Sequence, residues 1–172
     1  MSVFLTGNDE LFARWAAERV PYIGEYGFGA CKTIAIATGT APEDSVLAVV
    51  VLHEFLPHTR TCMVSVAAAS PLWATRGNIR AILRVPFEQY KVRKLWSVIA
   101  STNARSLKLN RGLGFKVEGT LRHHFAPRVH AIVAGMMDYE WASRWGPNAQ
   151  PRSTRHTMTG DGHGQSRGAK AA

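Results

Sequence analysis

The chain has 172 residues, 46% hydrophobic and 19% charged, which suits one globular domain with a real core. Its 21 Lys and Arg outweigh 12 Asp and Glu for a net charge of +9, favouring anionic partners: a phosphorylated cofactor, acidic proteins or nucleic acid. A solvated basic surface with a basic tail explains the same charge. The start MSVFLTGNDE lacks a basic, then apolar, signal pattern, and Ala48–Phe55 is too short to span a bilayer. Cys31 and Cys62 lie in no C-x-x-C pair and beside no metal-like His set, so they read as buried free thiols of a reducing cytosol. A soluble cytoplasmic protein is expected, with no membrane partner and no metal.

Asn8 or Asp9 can cap a first helix, with Leu11, Phe12, Trp15, Ala16 and Arg19 at helical spacing and Pro21 as its stop. Tyr22–Gly29 is a glycine- and aromatic-rich loop. Lys32–Thr38 alternates as a strand does, and Gly39–Ser45 carries turn chemistry. Val46–Phe55 is β-branched and nearly continuous, as a central buried strand would be. Leu56–Arg60 turns around Pro57, and Thr61–Ala69 is the next strand. Ser70–Gly77 leads into a helix whose apolar face holds Ile79, Ile82, Leu83 and Phe87, with Pro86 predicting a kink or an early end. A strand at Leu95–Ala100, a short helix, two strands near Lys116–His124 and His130–Met137, and then Trp141 complete the ordered part. From Pro147 onward large apolar residues almost vanish, and residues 147–172 read as a disordered basic tail.

The most informative stretch is Asn103–Phe115, NARSLKLNRGLGF, followed by Lys116–Arg122, KVEGTLR. It reads as an Asn-capped helix, a Gly exit and a strand. It resembles the C-terminal signature of the GNAT acyltransferases, N-x-x-S-x-x-x-x-x-x-x-G-F followed by x-x-E-G-x-L-R, within the RimJ/RimL-like branch. The layout is also similar to small acetyltransferase-like proteins of phages and prophages. The resemblance implies an α+β fold: a mixed, mostly antiparallel central sheet, splayed between its fourth and fifth strands and flanked by helices. Residues 1–146 would form that domain, with acetyl-CoA as acyl donor and a small-molecule or protein amine as acceptor. Relatives of this kind often dimerise, so a homodimer is expected on resemblance alone.

The pyrophosphate of acetyl-CoA is well held by backbone N–H groups at a helix N-terminus, after a loop that lets the backbone approach. The family loop reads Q/R-x-x-G-x-G/A. Here Ala74-Thr75-Arg76-Gly77-Asn78-Ile79 keeps only the central Gly77. The resemblance places Arg76, Gly77, Asn78 and Arg80 at the phosphates; a loop that merely caps a helix is the alternative. The small Ala67, Ala68 and Ala69 suit close approach of a ligand, or equally packing against a helix. Asn103 and Ser106 match residues lining the cofactor's other side, and Asn103 also suits a helix cap.

Acylation of an amine needs a base for the amine and an acid for the leaving thiolate. Many members carry a Tyr acid five residues before the Phe of G-F. This chain has Asn110 there, which cannot act as an acid and is grouped with the cofactor-side residues. Ser106 or a water is then the candidate acid. His53 and Glu54, at the end of the central strand, are the candidate bases; alternation lets only one face the substrate, and both also fit a strand-end surface. Glu118 would orient substrate or stabilise its turn. His123, His124 and His130 read as surface or substrate-loop residues rather than metal ligands. Tyr22–Phe28 and Trp73 suit an acceptor wall or plain packing.

Three functions fit the sequence: an acetyl-CoA-dependent N-acyltransferase, a GNAT-fold nucleic-acid-associated protein that modifies bases, and a catalytically silent CoA-binding module.

Overall fold

The computed structural model describes residues 2–39 and 45–149. Most of the expected turn at 39–45 and nearly all of the expected basic tail, with its nucleic-acid role, lie outside them. Among the described residues seven strands form one sheet: β1 (Val3–Leu5), β2 (Cys31–Ala37), β3 (Val46–Leu56), β4 (Thr61–Ala68), β5 (Lys94–Ala100), β6 (Lys116–Ala126) and β7 (Val129–Met137). Their order is β1-β2-β3-β4-β5-β7-β6. Every neighbouring pair is antiparallel except β4–β5, which is parallel. The described helices α1 (Asp9–Ala17), α2 (Arg76–Arg84), α3 (Ala104–Leu113) and α4 (Asp138–Trp145) flank the sheet. None is long and apolar enough to cross a membrane.

β3 is apolar from Val46 to Leu52 because both of its faces are covered there. Val50 and Leu52 join Ile34, Ile36, Ile79, Ile82, Phe87 and Trp141 in the larger core, on the α2 and α4 side. Val49 and Val51 join Phe12, Ala16, Phe28 and Ala35 in the smaller core, under α1. Period-two alternation thus sends successive β3 side chains into two different cores.

The predicted strands all form. Two elements escape the sequence reading. β1 has only three residues, and α4 begins directly at the end of β7 with no Gly, Pro or turn to announce it. The predicted capping of α1 is corrected: neither Asn8 nor Asp9 caps it with its side chain. The Asp9 carboxylate instead accepts bonds from Thr33 N (2.7 Å), Thr33 Oγ1 (2.9 Å) and Lys32 Nζ (2.8 Å), pinning α1 to β2. At Pro86 the chain does what the sequence predicts. α2 ends at Arg84 and widens into one turn over Val85–Gln89, closed by Tyr90 N donating to Val85 O at 3.1 Å. A widened turn accommodates the residue that lacks an N–H. The Gly114 exit is also as expected. It sits at φ 106, and a Cβ there would stand 2.9 Å from Arg144 Cδ, so its absence leaves room for that side chain.

Candidate active site

The splay predicted between the fourth and fifth strands is present. β4 and β5 pair only at Thr61↔Lys94, Cys62↔Leu95 and Met63↔Trp96. Beyond Met63 the strands part, and Val64–Ala68 loses its ladder on that side. The opening is a cleft of about 690 Å³, a size that suits a small ligand. β4 contributes Ser65, Ala67 and Ala68, and β5 contributes Ser97 and Val98. α3 supplies Asn103, Ser106 and Asn110, α2 supplies Ile79 and Ile82, and Arg19–Tyr22 and Phe125 close the far side.

The α3 wall is fixed by its own polar side chains. Asn103 Oδ1 accepts from Ser106 N at 3.0 Å, capping the helix. Asn110 Oδ1 accepts from the buried Ser97 Oγ at 2.9 Å, while its Nδ2 donates to Ser106 O at 3.0 Å. Asn110 therefore ties α3 to β5 across the floor of the cleft. Both ends of its amide are engaged, which explains an Asn at this position without any acid–base role.

The N-terminus of α2 stands at the rim, between the cleft residues Ala74 and Ile79. Thr75 Oγ1 accepts from Asn78 N at 3.2 Å. Thr75, Arg76 and Gly77 are exposed, and the first-turn amides of Arg76 and Gly77 have no acceptor within their own helix. A Cβ built on Gly77 meets nothing within 4 Å, so no neighbouring protein atom demands glycine here. Arg76 lies over the Trp145 ring, 5.0 Å from its centroid.

The other predicted loop residues are engaged elsewhere. Asn78 is buried, and its Nδ2 donates to Trp73 O (2.9 Å) and Ser2 Oγ (3.1 Å). Arg80 donates to the carbonyls of Gly146 (3.0 Å) and Pro147 (3.2 Å) beyond α4. Ala69 follows the end of β4, and its N–H donates to Leu47 O at 2.9 Å. None of these three side chains lines the cleft.

His53 sits behind the cleft rather than in it. The residue is only 5% exposed, its ring edge-on to Phe28, with Nε2 hydrogen-bonded to Ser65 Oγ at 3.0 Å. Burial lowers its pKa below the usual 6.5, against an opposing pull from the Glu54 charge. Glu54 is exposed where the β3–β4 register breaks, at φ 49, and does not line the cleft. Glu118 ion-pairs with Lys94, holding β6 to β5 over Gly135 of β7, so it is committed to the sheet. His123 and His130 lock the β6–β7 hairpin: His130 Nδ1 accepts from His123 N, and His123 Nδ1 accepts from Arg128 N, both at 3.0 Å.

The structure thus gathers Ala67, Ala68, Asn103, Ser106 and Asn110 in the cleft, with Arg76 and Gly77 at its rim. Ser65, Ser97, Arg19 and Phe125 were missed. Ser65 and Ser97 carried a legible signal, each a lone hydroxyl inside an apolar strand. Arg19 and Phe125 carried none, because only the tertiary fold brings them to the cleft.

No family model matches the chain, and no curated protein matches it in sequence. Solved structures do match in fold. The dodecameric spermidine N-acetyltransferase of Vibrio cholerae superposes at TM-score 0.65 with 15% identity, covering 83% of this chain and 97% of that one. A presumed acetyltransferase from T. thermophilus superposes at 0.55 with 19% identity, covering 71% of this chain and 65% of its own. The ribosomal-protein-S5-alanine acetyltransferase of Vibrio fischeri superposes at 0.55 with 13% identity, covering 64% and 63%. This chain therefore spans under two thirds of the length of the last two. The shared architecture is the GNAT N-acyltransferase fold.

Proposed function

We propose that this protein is an acetyl-CoA-dependent N-acyltransferase that acetylates a primary amine. The observation that carries this reading is the splay past Met63↔Trp96, a slot with one free strand edge and an exposed helix N-terminus at its rim. The residues present fit the cofactor. The first-turn amides at Arg76 and Gly77 suit a pyrophosphate, and the open space over Gly77 lets it approach. Arg76 adds charge, and Arg105 and Lys108 line the cleft on the α3 side. The unladdered edge of Val64–Ala68 offers amide and carbonyl groups to a pantetheine chain, beside the small Ala67 and Ala68. When bound, acetyl-CoA supplies the activated acyl group; the chain's own residues bind and orient it.

The acceptor enters from the Arg19–Tyr22 and Phe125 side. Two of the fold-mates are a spermidine N-acetyltransferase and a ribosomal-protein-S5-alanine acetyltransferase. The charged side chains named along the cleft are the basic Arg19, Arg105 and Lys108, which favours a terminal amine of the RimJ/RimL type over a polycation. A cytoplasmic homo-oligomer completes the reading.

The test is thermal stability with acetyl-CoA, CoA and ATP, followed by CoA release in the presence of spermidine or of a peptide beginning with alanine. A shift specific to acetyl-CoA and CoA, with amine-dependent CoA release, is expected. A shift with no release under any amine would leave the silent CoA-binding module.

A further inference from the structure

The geometry points to Ser65 as the group that takes the proton from the acceptor amine, passing its own to the buried His53. This inference rests on the acyltransferase reading. Met63 is the last β4 residue paired to β5, and Ser65 is the next residue on the same face. It therefore stands at the apex where the strands part, half-buried and lining the cleft. His53 lies one strand further in, opposite Met63, and its Nε2 meets Ser65 Oγ at 3.0 Å.

The surroundings suit a proton acceptor shielded from solvent. Cys31 stands opposite His53 on β2, and burial raises its thiol pKa, so it stays neutral. Phe28 covers the ring edge-on, and β4 presents Met63 and Ser65. Glu54 on the same strand is a carboxylate whose charge acts on the ring. Burial keeps the imidazole neutral at pH 7, and Glu54 eases the charge it acquires on protonation.

In the step, an N–H bond of the acceptor ammonium breaks and its proton passes to Ser65 Oγ. The Ser65 O–H proton passes to His53 Nε2. The ammonium becomes a free amine, the imidazole becomes an imidazolium, and Ser65 ends as it began. The amine then forms an N–C bond to the acyl carbon as the C–S bond breaks. Its surplus proton leaves with the thiolate, and the imidazolium proton returns to solvent.

The relay requires His53 to carry its proton on Nδ1 and to accept from Ser65 at Nε2. Imidazole 15N spectra of the full chain, without ligand, read this directly. An Nε2–H tautomer in the wild type would overturn the proposal. Ser65→Ala should lower turnover with the alanine peptide by about 100-fold or more. The acetyl-CoA thermal shift should stay, and the rise of kcat/KM with pH through the His53 titration should disappear. Ser65→Thr keeps the hydroxyl and should recover most of the rate. Wild-type turnover and an intact acidic limb in Ser65→Ala would remove the relay and leave the acyltransferase reading standing. Acetyl trapped on Ser65 in the absence of amine would make it a nucleophile and also overturn the relay. A wild-type chain that binds acetyl-CoA but acetylates neither amine would remove the acyltransferase reading itself, and the relay with it.

Discussion

The Tyr22 ring stacks on Phe125, centroids 4.6 Å apart and planes 23° from parallel. Tyr22 belongs to the loop after α1 and Phe125 to the tip of the β6–β7 hairpin, so this pair bridges the mouth of the cleft. The hairpin can hold Phe125 there because the His123 and His130 rings lock its backbone.

Phe125→Ala should therefore act on acceptor binding more than on the cofactor. The lost stacking is worth about 0.5–1.5 kcal/mol beyond buried area, and Tyr22 is already 53% exposed, so the fold should lose little. KM for the acceptor should rise while the acetyl-CoA thermal shift persists. Unchanged acceptor KM would show that the mouth lies elsewhere.

Gly77→Ala separates packing from binding. Within the helix, Ala is favoured over Gly by up to about 1 kcal/mol, and the new Cβ meets no protein atom within 4 Å. The melting temperature should rise or hold, while affinity for acetyl-CoA should fall because the Cβ occupies the approach to the first-turn amides. Isothermal titration beside calorimetry checks both. Equal acetyl-CoA affinity would remove Gly77 from the phosphate site.

Asn110→Ala should destabilise by about 1–3 kcal/mol, because it leaves the buried Ser97 hydroxyl without its acceptor. Ser97→Ala with Asn110→Ala should then cost less than the sum of the two single changes. Chemical denaturation of the cycle measures the coupling, and strict additivity would mean that the bond carries no stability.

Stability should fall as the solution is acidified below neutral. The His53 pKa is lowered in the folded state, so between that value and 6.5 the unfolded chain binds more protons. The contribution is present above 6.5 and is lost as pH falls through the folded pKa. The difference between wild type and His53→Gln isolates it from the other histidines. Identical pH slopes for the two proteins between pH 5 and 7 would contradict it. At lower pH, Asp9 and Glu140 act in the same direction. Burial works to raise Asp9, but its bonds to Lys32 and Thr33 prevail and lower it. The Lys116 bond lowers Glu140. Both contributions are lost as pH falls through these depressed values.

Much of the fold was legible because its elements carry local signals. The β-branched run of β3, the break at Pro86, and Asn103 with Gly114 at the two ends of α3 each act over a few residues, and each appears where it was expected. α4 was not legible, because its helix starts on the residue after β7 and is held by distant contacts. Trp145 Nε1 donates to Leu113 O at 2.7 Å. The cap expected of Asp9 failed for a related reason: Thr33, 24 residues away, is the better partner.

The amino-acid order alone determined the strands other than β1, the three predicted helices and the cleft residues Asn103, Ser106 and Asn110, since periodicity and capping are properties of neighbours in the chain. Only the tertiary structure decided which way each functional side chain is spent. Asn78 and Arg80 looked like phosphate ligands, yet they bind carbonyls of the protein itself. His53 looked like a strand-end base, yet it is buried and reaches the cleft through Ser65. A side chain's partner depends on what the sheet register and helix packing bring within about 3 Å, and those distances come from contacts made far along the sequence.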